Sequence, residues 1–161
     1  MVDGRVLVVY FSQGQAARRV AMDLAGLTGA DVDSIIELKQ RKGALGFFLA
    51  GADASFGRAT AIAEPALSPA DYAVVYICSP IWAWNLAPAV RSWLRMFKGR
   101  IAKAAFVTVS GDTAPDKVVR VMAKESAVEP FAFAGFSEYH FQPEFHEDYV
   151  GKLAALVRPL R

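Results

Sequence analysis

Three short stretches carry residues able to hold a ligand. Ser12, Gln13, Gly14, Gln15, Ala16 and Ala17 follow an apolar run and lead into a helical pattern, with Arg18 and Arg19 next. Backbone N–H groups at such a helix start, with the positive end of the helix dipole, suit an anion and above all a phosphate. Ser12, Gln13 and Gln15 add side-chain donors. The second stretch, Ser79 to Leu94 ("SPIWAWNLAPAVRSWL"), places Trp82 and Trp84 beyond a buried strand. Indoles carry large apolar area, and a loop has little core to bury it in, so a flat aromatic ligand would give them a stacking partner. The competing reading has at least one of the pair packed beneath its own loop. The third, Ser110, Gly111 and Asp112 with Thr113 and Ala114, offers a glycine, backbone donors and two hydroxyls before a helix.

Other chemistry is poorly supplied. Cys78 is the only cysteine, which excludes a disulfide framework and paired-cysteine metal sites, and it reads as a buried strand residue. A phosphate-binding G-x-x-x-x-G-K-[ST] motif is absent. His140 and His146, near Glu144, Glu147 and Asp148, match no metal spacing and read as a solvated loop. Arg18 with Arg19, and Arg91 with Arg95, read as solvated helix residues. No catalytic side chain and no metal is expected. The net charge of +2, from 18 basic and 16 acidic residues, lacks the excess of a nucleic-acid surface. No stretch reaches the roughly 20 apolar residues of a membrane span, and strand-like sequence begins within a few residues of Met1. A cytoplasmic protein with no membrane partner is the expectation.

The elements that must position these stretches follow from hydrophobic pattern. "RVLVVYF" (5–11), "DYAVVYICS" (71–79) and "AAFVTVS" (104–110) are continuously apolar, as strands buried on both faces of a parallel sheet are. "DVDSIIELK" (31–39) and "PFAFAGFSEYHF" (130–141) alternate, as edge strands do. Helical faces are predicted for Ala17, Val20, Ala21, Leu24 and Leu27; for Leu86, Val90, Trp93, Leu94 and Phe97; and for Val150, Leu153, Ala154 and Val157. Thr113 reads as an N-cap ahead of a first-turn Pro115 and the acidic Asp116. The result is a single α/β domain over 1–161, a three-layer sandwich with right-handed crossovers. Residues 39–64 exceed a plain crossover. Within them "ALGFFLAGADASF" suggests a short helix, with Phe47, Phe48, Leu49 and Phe56 either core or a dimer patch or lid over the strand ends.

"VLVVYFSQGQAARRVA", "YAVVYICSPIWAWNLAPAVRSWL" and "AFVTVSGD", in that order and spacing, resemble the flavodoxin-like family over nearly the whole chain. The resemblance implies a five-stranded parallel sheet in the order 2-1-3-4-5 and FMN bound by three loops at the carboxyl ends of the strands. Against the family's [ST]-x-T-G-x-T phosphate loop, Ser12 matches. Gly14 stands where a threonine is expected, Gln15 where the glycine is and Ala17 where the last threonine is. Pro80, Ile81, Trp82, Ala83, Trp84 and the adjoining Asn85 match the segment flanking the isoalloxazine ring, and Ser110, Gly111 and Asp112 the one meeting its pyrimidine edge. Each hydroxyl lost from a phosphate removes about 1.5–3 kcal/mol. Two functions follow: an FMN redox protein, for electron transfer or as an NAD(P)H-dependent reductase with a redox partner or small-molecule acceptor, or a domain that has lost FMN and serves as a binding module. A net charge of +2 favours the reductase form, since a long-range shuttle would be strongly acidic.

Overall fold

A computed structural model of the protein describes residues 4–39, 42–111 and 114–161. Strands β1 (Val6–Tyr10), β2 (Asp31–Ser34), β3 (Val74–Trp82), β4 (Asn85–Leu86), β5 (Ala104–Ser110) and β6 (Pro130–Ser137) alternate with helices α1 (Ala16–Thr28), α2 (Gly43–Ser55), α3 (Pro88–Met96), α4 (Asp116–Ser126) and α5 (His146–Val157). Five strands run parallel in the order β2-β1-β3-β5-β6, and β4 pairs with β3 beside them. Counting only the parallel strands, this is the 2-1-3-4-5 order. The three central strands are the three continuously apolar runs, because both of their faces are covered.

Period-two alternation divides the interior into two cores. Leu7, Val9, Val75, Ile77 and Phe106 face Val90, Trp93, Leu94, Val118 and Met122 of α3 and α4. Val8, Val74, Tyr76, Cys78 and Val107 face Val20, Leu24, Leu153 and Leu156 of α1 and α5. Cys78 sits at the middle of the sheet, in register with Tyr10 on one side and Val107 on the other, and burial raises its thiol pKa. The Tyr76 hydroxyl donates to the Leu156 carbonyl at 3.0 Å, and burial pushes its pKa up to about 12.

Several elements depart from the sequence reading. The 31–39 edge strand is regular only to Ser34, after which Glu37 makes one antiparallel bridge with Ile62. Leu27 lies exposed on the last turn of α1, which closes at Gly29 in the left-handed conformation. On α5 the buried face is Tyr149, Leu153, Leu156 and Val157, while Val150 and Ala154 face outward. The tyrosine sets this phase: its ring packs against Phe136 and Phe141, and its hydroxyl donates to Asp23 at 2.6 Å. Pro115 takes the N-cap position of α4, and Thr113 lies outside the described residues.

The segment before β3 holds the largest difference. α2 forms, but Phe47, Phe48 and Phe56 are exposed and Leu49 is partly so, which excludes them from the core. The helix buries Gly46, Ala50, Asp53 and Ala54 instead. Gly46, Ala50 and Ala54, small residues at i, i+4 and i+8, let it lie close against β3, β4 and α3, leaving the bulky side chains outside.

Candidate functional site

Ser12 to Gln15 join β1 to α1 at the carboxyl end of the sheet. Gln15 is the N-cap of α1, solvent-exposed, and its side chain makes no capping hydrogen bond. The first N–H groups of α1 thus lack both intrahelical acceptors and a side-chain cap. No acidic residue stands in the first turn, where one would complement the dipole; Arg18 and Arg19 occupy it instead. An anion at this terminus would reverse that mismatch. The Ser12 hydroxyl donates to the Gly14 carbonyl at 2.5 Å and so holds the loop closed on itself.

The second stretch is not an open loop. β3 stays in register with β5 as far as Pro80, opposite Val109. Proline has no N–H for the ladder, and beyond it the strand pairs only with β4, Ile81 with Leu86 and Trp82 with Asn85. The two intervening residues, Ala83 and Trp84, both take positive φ, 46° and 59°. Positive φ at both centres is the condition of the type I′ hairpin turn, normally met by Asn-Gly. A Cβ there costs about 1–2 kcal/mol per residue, of which glycine's extra chain entropy returns about 0.5–1. Ala83→Gly is therefore expected to raise the melting temperature by about 1–4 °C. A lower melting temperature would show that Ala83 is not where strain is held.

The hairpin divides the tryptophans. Trp82 is half-buried, its ring edge-on to Phe11 at 5.4 Å and 69°. Trp84, at the tip, is 72% exposed. Beneath them, Arg91 is buried rather than solvated: its guanidinium pairs with Glu125 of α4 and reaches Asn85 Oδ1 at 3.4 Å. Asn85 Oδ1 also accepts the Leu86 N–H at 2.8 Å. Arg95 completes the cluster, with Nε 2.7 Å from Glu125. The Arg95 hydrogen bond first, then that of Arg91, holds the Glu125 carboxyl below its ordinary pKa, against the opposing effect of burial.

A cavity of about 580 Å³ opens at this end of the sheet. It brings together Ser12, Gln13, Gly14, Gln15, Ala16 and Ala17 from the first stretch, Pro80, Ile81 and Trp82 from the second, and Ser110 and Gly111 from the third. Ala83, Trp84 and Asn85 are not among its lining residues, and Asp112 lies outside the described residues. Sequence reasoning missed Glu138 and Phe141, on the turn after β6, and Val109; it had left Arg19 to solvent. The Arg19 guanidinium is exposed, yet stacks over Phe141 at 4.8 Å and Tyr149 at 5.7 Å, which fixes a cation at the cavity wall. Pattern alone could not reveal this contact, because it joins α1 to a turn more than a hundred residues away.

Two glycines in the lining have no conformational need to be glycine. Gly14 and Gly111 both lack positive φ, and a Cβ on either would meet nothing within 4 Å. They leave open space beside bare backbone, which lets a ligand approach N–H groups directly. The two histidines belong elsewhere. His140 is buried, with Nδ1 accepting the Ser137 N–H at 2.9 Å and Nε2 lying 2.8 Å from Asp148, so its ring ties the end of β6 to α5. His146 is exposed at the start of α5. Among the described residues no group of three or more His, Cys, Asp or Glu could hold a metal. Nor is any helix there long and apolar enough to cross a membrane.

No protein-family model matches the chain, and no curated protein matches it in sequence. Solved structures do match in shape. A flavoprotein of Lactobacillus acidophilus, in complex with FMN, superposes with a TM-score of 0.71 at 16% identity, covering 81% of this chain and 92% of that one. A candidate flavoprotein of Bacteroides uniformis gives 0.72 at 21% identity, over 92% and 99%. A candidate quinone reductase of Klebsiella pneumoniae gives 0.53 at 9% identity, over 97% and 84%. Likeness at these identities establishes the fold.

Proposed function

The chain has the flavodoxin-like fold, and from that premise we propose that it binds FMN non-covalently in the 580 Å³ cavity and works as a redox protein of the reductase type. One observation carries the reading. A helix N-terminus without an acidic cap, two glycines facing open space and the half-buried Trp82 all line one cavity. Its volume lies within the ~300–1,000 Å³ of ordinary cofactor sites. The α1 N-terminus, Gln13, Gln15 and the Arg19 cation would hold the phosphate. Trp82 would cover one side of the ring, and the Ser110–Gly111 backbone would meet its polar edge. Bound flavin supplies hydride and single-electron chemistry; the protein supplies position and polarity. Trp82, held edge-on against the buried Phe11, presents an apolar side to the cavity.

The charge of +2 supports a reductase over an acidic electron shuttle, and a cytoplasmic setting with a single unpaired Cys78 belongs to the same proposal. The test is titration of the purified protein with FMN and with riboflavin, following tryptophan emission and flavin absorbance. FMN is expected to bind at micromolar concentration or below and at least ~10-fold tighter than riboflavin, the phosphate accounting for ~1.4 kcal/mol or more. Equal affinities would mean that the α1 terminus holds no phosphate. A protein indifferent to both would leave an interaction module on this fold as the better reading.

A further inference from the structure

α2 is inverted relative to an ordinary surface helix, which turns its bulky apolar side chains inward. Its inner face is Gly46, Ala50, Asp53 and Ala54, while Leu45, Phe47 and Phe48 are 70%, 84% and 70% exposed. Phe56, at the C-cap, is 73% exposed. The surface continues to the hairpin: a Cβ on Gly51 would lie 3.9 Å from that of Ala83, next to the exposed Trp84. We propose that this surface is the interface at which two copies of the chain form a two-fold dimer.

Area and charge choose the occupant. With ~150–250 Å² per aromatic side chain, the exposed parts of Phe47, Phe48, Phe56 and Trp84 amount to roughly 450–750 Å². Leu45 and Leu49 add to this, bringing the face to the ~800 Å² that each partner contributes to a standard interface, beyond the ~300–600 Å² patch of an ordinary monomer. Asp53 is the only charged residue of α2, and it points inward. Of the flanking cations, Lys39 Nζ and Arg58 Nη1 lie 3.1 and 3.3 Å from the Asp53 carboxylate, Arg58 also stacks over Phe56 at 5.1 Å, and Lys42 stands exposed at the N-cap. A helix lying on an anionic bilayer would direct such cations toward the headgroups. An outer helix face rich in aromatics, with charge only at its two ends, matches the apolar core and polar rim of a homodimer interface. Two-fold pairing sets that face against its own copy, and covers Trp84 at the hairpin tip.

Sedimentation velocity of the full chain tests this, without flavin, so the outcome is independent of whether FMN binds. The wild type is expected at twice the chain mass at micromolar concentration. Phe47→Asp with Phe48→Asp is expected to weaken self-association at least ~100-fold, since each removes a central anchor. Leu45→Asp, a single change on the same face, carries the same direction. Leu27→Asp, exposed on α1, is expected to leave the dimer intact, and far-ultraviolet circular dichroism to be unchanged in all three. A wild type at the mass of one chain would overturn the proposal. So would a dimer indifferent to the α2 substitutions, or a single chain that co-sediments with phosphatidylglycerol vesicles.

Discussion

Arg91→Ala is expected to cost the fold about 3 kcal/mol, the lower end of what breaking a buried ion pair removes. The Arg91 side chain is 6% exposed and that of Glu125 15%, so the carboxylate left behind cannot recover its partner from water. Arg95 remains with Glu125, which places the cost at the lower end. For a chain of this length that is a fall of about 6–12 °C in melting temperature. The hairpin should loosen as well, because Arg91 is what joins Asn85 to α4. The pH dependence has a definite sign. Glu125 is held below its ordinary pKa in the folded protein, so its contribution is complete above the unfolded value near ~4.3 and is lost as pH falls through the folded one. The gap between wild type and Arg91→Ala should therefore be widest near neutrality and narrow in acid. Melting curves at pH 7 and below pH 4 measure both. A gap under ~1 kcal/mol at neutrality would remove the pair from any account of what holds the hairpin.

Trp82→Ala is expected to weaken FMN and riboflavin by the same factor, about 10–100-fold, because one aromatic face stacked on a ring is worth ~1–3 kcal/mol. Equality between the two ligands is the informative part: the indole would meet the ring they share and not the phosphate. Trp82→Phe should restore most of the loss, and Trp84→Ala, outside the cavity lining, should change either affinity less than about threefold. Titration of the three variants decides it. A larger loss at Trp84 would put the ring on the outer side of the turn, and the cavity reading would fail with it.

What the chain discloses in advance depends on how local each cause is. β1, β3 and β5 were legible because two-sided burial writes itself as unbroken apolar sequence. The first and third ligand stretches followed, since they are simply where those strands stop. The extension of β3 through Trp82 was not legible: Pro80 reads as an end, and an Ala-Trp turn carries none of the Asn-Gly chemistry that announces a hairpin. Arg91 gave no local sign, because its partner Glu125 lies 34 residues away. α2 is apolar on every side, so periodicity assigns it no inner face; close approach to the sheet, not hydrophobicity, decides which residues turn in. The face of α5 was misread for a related reason. Val150 is as apolar as any core residue, but the Tyr149 hydroxyl has Asp23 to meet.

Cys78 gives the molecule an internal clock. Its thiol is fully buried at the centre of β3, with its pKa raised by burial, so a thiol-reactive reagent cannot reach it while α1 and α5 cover that face of the sheet. With no second cysteine to compete, the labelling of one sulfur records how often the α1 and α5 layer lifts from the sheet, molecule by molecule. The innermost point of the fold thereby becomes its most direct gauge of breathing.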